Sequence, residues 1–189
     1  MRVISGKYRG KRLKCVRGDK VRPTSDKLKA AIFNVLFSQG LDRFDDLRAL
    51  DLFAGSGALG IEALSRGAKS CYFIDKDIDS VNIVKANLKN LNLIDKNQAR
   101  VVLRGHIKAI EMLRHSDITF DLIFLDPPYN QDLIIQAIEN ICECGIFSNH
   151  CLVVAEHSIK EELPGEIKKF RKVTEKYYGS KVLSFFEVM

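Results

Sequence analysis

Leu122-Ile123-Phe124-Leu125-Asp126-Pro127-Pro128-Tyr129 reads as a buried strand that stops at a carboxylate, two prolines and an aromatic ring. A short, continuous apolar run bounded by turn formers fits a strand covered on both faces, as in a parallel sheet. In open α/β sheets, ligands bind at the C-terminal ends of such strands. Two prolines remove two backbone N–H donors and fix φ, so the adjacent carbonyls are held without being consumed by a ladder. The turn therefore presents hydrogen-bond acceptors beside a flat ring. That suits the exocyclic amine of a nucleobase stacked on Tyr129. The competing reading is a rigid loop that only caps a helix.

Outward from this stretch, strand and helix patterns alternate. Ala49-Leu50-Asp51-Leu52-Phe53 reads as a strand, followed by a glycine-rich turn and a helix through Leu64 that stops near Gly67. Ser70-Cys71-Tyr72-Phe73-Ile74 is the next strand, and Ile78, Val81, Val84 and Leu88 line a second helix. Ala99-Arg100-Val101-Val102-Leu103 is the third strand, with a helix to about Arg114. Leu133, Ile134, Ala137, Ile138 and Ile141 mark another helix ending near Gly145. Cys151-Leu152-Val153-Val154-Ala155-Glu156 is the fifth strand. The segments around Arg171 to Tyr177 and Lys181 to Val188 pair across Gly179-Ser180 as a closing hairpin. Alternation of this kind predicts the α/β class: a mostly parallel sheet, helices on both faces and a C-terminal antiparallel hairpin.

The N-terminal end has a different character. Short apolar pieces around Gly6 and Gly10 read as a small β-hairpin or two short strands bearing Lys and Arg. Arg22-Pro23-Thr24-Ser25 then opens a helix, with Thr24 or Ser25 as N-cap, and Leu28, Ala31, Ile32, Val35 and Leu36 form its packed face. The expected division is a basic hairpin extension over 1–20 and a main domain over 21–189. At 189 residues, one domain with a small appendage fits the length.

The formal net charge of +6 is concentrated. Residues 1–29 hold eleven Lys and Arg against Asp19 and Asp26, a local charge of +9, which leaves −3 for the remainder. This asymmetry points to phosphate-backbone contact through residues such as Arg2, Lys7, Arg9, Lys11 and Arg12; the bland reading is a solvated basic arm. No apolar run reaches membrane-spanning length, and Met1-Arg2-Val3-Ile4-Ser5-Gly6 lacks the apolar core of a signal peptide. The five cysteines form no Cys-x-x-Cys pair and have no zinc-like spacing with the four histidines. Reduced thiols, a cytoplasmic location and no metal site are the expectation.

Gly55-Ser56-Gly57-Ala58-Leu59-Gly60 matches the G-x-G-x-x-G dinucleotide fingerprint, with Asp75 twenty residues after Gly55. Glycines let backbone approach a ligand, and a carboxylate ending the second strand can accept ribose hydroxyls. Neither feature requires a pyrophosphate. Asp51, inside the first strand, is awkward beside a pyrophosphate and useful beside a ligand's ammonium group. Asp51 could instead be a strand acid bonded to neighbouring amides, and Asp75 a helix N-terminal charge.

Asp51-Leu52-Phe53-Ala54-Gly55-Ser56-Gly57 resembles the first motif of AdoMet-dependent methyltransferases with a Rossmann-like fold. Asp126-Pro127-Pro128-Tyr129 resembles their amino-methylating motif. Together with Arg2-Val3-Ile4-Ser5-Gly6-Lys7-Tyr8-Arg9-Gly10, Arg22-Pro23-Thr24 and Phe33-Asn34-Val35-Leu36, the chain resembles the bacterial 16S rRNA guanine-N2 methyltransferase family, in motif order, from residue 2 to the final hairpin. The resemblance implies S-adenosyl-L-methionine (AdoMet) as cofactor. Asp51, Phe53, Ala54, Gly55, Ser56 and Gly57 would hold its methionine end. Asp75 would bind the ribose, Lys76 would lie alongside the adenine, and Gly105-His106 would form the adenine-facing turn. Arg22 and Thr24 would close over the cofactor, while Asp126, Pro127, Pro128 and Tyr129 would hold the target base. Many relatives carry Asp or Asn where His106 stands; a neutral imidazole nitrogen or backbone could accept there instead, and the competing reading of His106 is a helix-start surface residue. The implied partner is 16S rRNA, in the small ribosomal subunit or its assembly intermediate, and the expected state is a monomer.

Other readings share some of these residues. A DNA adenine-N6 or cytosine-N4 methyltransferase uses the same acceptor turn, but this chain has no obvious separate target-recognition domain. A protein-glutamine methyltransferase usually has Asn at position 126. An NAD-dependent oxidoreductase follows from the glycines alone, and a non-catalytic RNA-binding module from the charge alone.

Overall fold

Apolar strands alternating with amphipathic helices leave this sheet with helices on both faces. The computed structural model describes residues 1–15, 25–41, 43–94, 98–129 and 132–189. In chain order the elements are α1 (Asp26–Ser38), β1 (Arg48–Asp51), α2 (Ala58–Ser65), β2 (Ser70–Asp75), α3 (Ile78–Asn90), β3 (Ala99–Leu103), α4 (His106–Arg114), β4 (Phe120–Leu125), α5 (Leu133–Cys144), β5 (Phe147–Ser158), β6 (Glu166–Ile167), β7 (Phe170–Tyr178) and β8 (Lys181–Val188). They build one eight-stranded sheet in the order β3-β2-β1-β4-β5-β8-β7-β6. The first five strands of that order run parallel, and β8 lies antiparallel between β5 and β7. α1, α2 and α3 pack on one face through Phe33, Ile61 and Val84. α4 and α5 pack on the other through Ile110, Ile138 and Ile141.

Several boundaries differ from the sequence pattern. β1 ends at Asp51 rather than Phe53, because the chain turns into the glycine loop immediately after the carboxylate. β5 begins at Phe147, ahead of the apolar run; a register shift between Phe120 and Leu122 on β4 accommodates its polar start. β6 carries only Glu166 and Ile167, too short to show a period. Ile78 is 51% exposed instead of packed, since it starts α3 beyond the end of β2. The helix-opening cap is Ser25, whose hydroxyl accepts the Leu28 N–H at 3.1 Å.

Among the described residues, the N-terminal segment folds back on itself through an isolated bridge, Arg2 to Arg12, instead of an extended ladder. Other amides of the segment are claimed elsewhere. Ile4 and Ser5 donate to the Glu62 carboxylate at 2.8 and 3.0 Å. Lys7 N–H donates to the Ser65 carbonyl at 2.7 Å and Tyr8 N–H to its hydroxyl at 3.0 Å. Gly6, at φ +77°, lies so close to α2 that a Cβ would sit 1.8 Å from the Ser65 carbonyl oxygen. Val3 and Leu13 enter the core, which fastens the segment from below.

Glu62 is the hub of this docking. Its carboxylate is fully buried, accepts Arg66 Nε–H at 3.0 Å and lies 3.8 Å from the fully buried ammonium of Lys29. Burial pulls the Lys29 pKa down, while Glu62 and then Asp26 oppose that shift. Removing one partner of such a pair leaves an uncompensated buried charge. Glu62→Ala should therefore lower the unfolding free energy by about 3–5 kcal/mol in urea titration; a wild-type midpoint would show that the hub contributes nothing.

Candidate active site

The strand order reverses between β1 and β4, which lie side by side while their connections leave to opposite faces. A crevice opens at such a switch point outside the carboxyl ends of the strands. The glycine loop leaves one of these strands and the Asp126 turn leaves the other. Leu52 N–H donates to the Phe124 carbonyl at 3.1 Å and Ala54 N–H to Ile74 at 2.9 Å, which stitches the loop to both neighbouring strands. Gly55 and Gly57 take φ of +53° and +77°, the left-handed region where a side chain is strained.

Gly60 has a different duty. A Cβ there would meet Phe73 Cε1 at 2.4 Å and Cys71 Sγ at 2.6 Å, so this glycine serves close packing of α2 on β2. Its N–H, one of the donors left over at the start of α2, is accepted by Asp51 Oδ2 at 3.0 Å. The chain's own carboxylate thus occupies the helix N-terminus where a dinucleotide's pyrophosphate would bind. This anion at the helix start argues against a pyrophosphate there, which a dinucleotide would need. Burial drives the Asp51 carboxyl up to about 7 despite the Gly60 bond, with Asp75 adding a smaller push.

Asp75 ends β2 half-buried. Its Oδ2 accepts the Gly55 N–H at 2.8 Å and its Oδ1 accepts the Asp77 N–H at 2.9 Å. Each carboxylate oxygen can take a second donor, so the group can receive a vicinal diol. Asp77, in turn, is the N-cap of α3. Lys76 is exposed beside it. The Phe53 ring lies 5.2 Å from the His106 imidazole, centroid to centroid. Gly105 has open space where a Cβ would stand. His106 Nε2 is buried without a hydrogen-bond partner among the described residues. Burial, and then Lys76, pull the imidazole pKa down, which favours the neutral ring. Exposed Ile78 and Leu103 stand at the same ends of β2 and β3. A flat apolar ring with an amino group fits these surroundings.

Asp126 and Tyr129 are half-buried, Pro127 is buried and Pro128 is exposed. The Tyr129 hydroxyl donates to Glu156 Oε1 at 2.8 Å. Arg22 and Thr24 lie outside the described residues. Arg2, Lys7, Arg9, Lys11 and Arg12 are all exposed on the docked segment, Arg2 paired with Asp26 at 3.5 Å. One buried side chain joins this segment to the loop. Asn87 accepts the Lys14 N–H at 2.8 Å and donates to the carbonyls of Lys14 at 3.0 Å and Ser56 at 2.9 Å. Neither Asn87 nor Glu156 stood out in the sequence, because each is a single polar residue whose partners are distant along the chain. The one available signal was Glu156 ending an apolar strand run.

A family model described as "Conserved hypothetical protein 95" matches residues 1–187. The chain belongs to that family. It is 42% identical over 177 residues to the Bacillus subtilis protein named "Putative rRNA methyltransferase YlbH", covering 92% of this chain and 93% of that one. It is 35% identical over 156 residues to "Ribosomal RNA small subunit methyltransferase D" of Haemophilus influenzae, covering 82% and 78%. Among solved structures, the Escherichia coli "Putative methyltransferase yhhF" superposes with a TM-score of 0.82 at 30% identity, over 100% of this chain and 97% of that one. The Rossmann-like methyltransferase fold of the Conserved hypothetical protein 95 family is thus the fold of this chain. Among the described residues no group of three His, Cys, Asp or Glu could hold a metal ion. No helix among them is long and apolar enough to cross a membrane.

The Asp51 carboxyl makes a signed prediction. Its folded value of about 7 lies above the 3.8 of an unperturbed carboxyl, so between these values the folded state binds more protons than the unfolded state. Asp51 should therefore subtract stability as pH rises from about 4 to about 7. Urea titrations of the wild type and Asp51→Asn at both ends of that window should show the Asn variant gaining relative stability at the higher pH. Parallel pH profiles would contradict the assignment.

Proposed function

We propose that this protein transfers the methyl group of AdoMet to the exocyclic N2 amine of a guanine in 16S rRNA, within the small ribosomal subunit or its assembly intermediate. The observation that carries this reading is the adjacency of two turns: the glycine loop after β1 and Asp126-Pro127-Pro128-Tyr129 after β4 leave neighbouring strands at the switch point. One turn suits a nucleoside donor and the other an amino-bearing base. The names of the relatives supply the RNA and the subunit.

The residues fit the donor. Asp51 and the backbone of Phe53, Ala54, Gly55, Ser56 and Gly57 hold its methionine end, where an ammonium group favours the ionised Asp51. Asp75 receives the ribose hydroxyls. Lys76, Gly105 and His106 would border the adenine, and Arg22 and Thr24 would belong to the segment that closes over the cofactor. AdoMet supplies an electrophilic methyl on a sulfonium. The chain's own work is to aim the acceptor. A guanine N2 lone pair is delocalised into the ring and is a poor nucleophile. Asp126 and the Pro127 carbonyl accept the two amine hydrogens and draw that lone pair out of conjugation, while Pro128 stiffens the turn and Tyr129 stacks on the base. This is positioning together with stabilisation of the charge that develops on nitrogen. The proton leaves after transfer, so Asp126 need not deprotonate the amine first. The base must be unpaired or flipped out to enter.

Residues 1–20 act as a basic extension that grips flanking phosphates through Arg2, Lys7, Arg9, Lys11 and Arg12, and residues 21–189 form the catalytic domain. The enzyme works as a monomer in the cytoplasm.

Asp126→Ala should bind AdoMet as the wild type does in calorimetry and lose most labelled methyl transfer to small subunits lacking the modification; transfer at the wild-type rate would remove Asp126 from the mechanism. Lys7→Glu combined with Arg9→Glu should weaken subunit binding and make log K against log salt shallower by about 2. An unchanged slope would mean that these two cations do not meet phosphate.

A further inference from the structure

We propose that Glu156 and Lys181 are positioning residues that lock the Tyr129 ring as the platform for the target base, so that β8 takes part in aiming the substrate. The inference rests on the reading that Tyr129 stacks on that base. Ala155 of β5 is in register with Leu125 of β4, so Glu156, still inside β5 and paired with Leu183 of β8, lies at the level where Asp126 leaves β4. Glu156 is 2% exposed and its Oε1 accepts the Tyr129 hydroxyl at 2.8 Å. Lys181, the first residue of β8, pairs with the same Glu156 oxygen. Its Nζ also lies 5.9 Å from the centroid of the Tyr129 ring, within cation–π range.

A phenol held only by packing can turn about its side-chain bonds. A bond to a carboxylate is charge-assisted and directional, and the ammonium adds a second restraint on the ring. The face that meets the base is thereby fixed relative to Asp126. This holds the amine in line for transfer without touching the reacting atoms.

The pair also bears a cost that packing alone would not require. Glu156 Oε2 is buried with no hydrogen-bond partner among the described residues. Buried ion pairs can often be replaced by neutral groups of similar shape without loss of stability. A buried carboxylate left half-satisfied fits a place where orientation matters more than stability.

The test uses the full-length enzyme, AdoMet and small subunits lacking the modification. Tyr129→Ala checks the stacking itself: wild-type transfer by this variant would overturn the reading of Tyr129 and the inference with it. If Tyr129→Ala is impaired, Tyr129→Phe, which keeps the ring and deletes the hydroxyl, addresses the lock. It should lower kcat about tenfold to a hundredfold with the RNA KM and the AdoMet Kd near wild type. Glu156→Gln should lower kcat similarly, with the RNA KM and the AdoMet Kd near wild type; both are read on folded enzyme, so stability lost by leaving Lys181 unpaired does not mimic the effect. The double variant should be no slower than the slower single. A wild-type kcat for Tyr129→Phe, or a double variant whose losses multiply, would overturn the lock while leaving the methyl-transfer reading in place.

Discussion

Two parallel strands that end side by side, with their connections leaving to opposite faces, are the constraint on which this molecule is organised. β1 and β4 are buried on both sides, so neither can carry a ligand along its length. Their carboxyl ends are the place where the chain leaves the sheet. Polar chemistry is concentrated there: Asp51 and the glycines after β1, Asp126 and the prolines after β4, Glu156 at the corresponding level of β5. β2 and β3 extend the same edge with Asp75 and His106. The candidate site follows this edge of the sheet, and the rigidity of the sheet is transferred to it.

Buried polar groups then tie the periphery to that row. Glu62, Ser65 and Asn87 use their oxygens and nitrogens on backbone of the N-terminal segment. Backbone groups of the segment that its own cross-strand bonds, such as Val3 to Lys11 and Leu13 to Met1, do not take up are satisfied by helix side chains and by the Ser65 carbonyl. The result is a basic surface mounted on the same helices that support the glycine loop.

Much of the fold was legible because the apolar runs were unambiguous. Val101 to Leu103 and Leu122 to Leu125 are too short and too continuous for surface helices, and Leu28, Ile32 and Leu36 keep a helical period. Ile78 failed because a period identifies a face without showing where the sheet beneath it ends. β6 failed because two residues have no period. In the site, Asp126-Pro127-Pro128-Tyr129 was legible as a chemical unit, since its prolines and ring are contiguous. Gly60 showed the limit of a motif: its close packing on Phe73 and Cys71 is also what the third glycine of a dinucleotide fingerprint does, and the difference lies in the Asp51 carboxylate at its amide. Asn87 and Glu156 were not legible. Their meaning comes from partners 73 and 27 residues away, and only folding reveals that distance.

The docking of the N-terminal segment has a consequence for the order in which the molecule is completed. Ile4, Ser5 and Tyr8 bond to residues 57 or 58 positions later, and Lys14 to one 73 positions later. A chain made from its amino end therefore releases this segment long before α2 and α3 exist to receive it. Residues 2–14 are made before the helices that receive them and are among the later ones to find their place. Their docking therefore reports that the two helices behind the glycine loop have already folded.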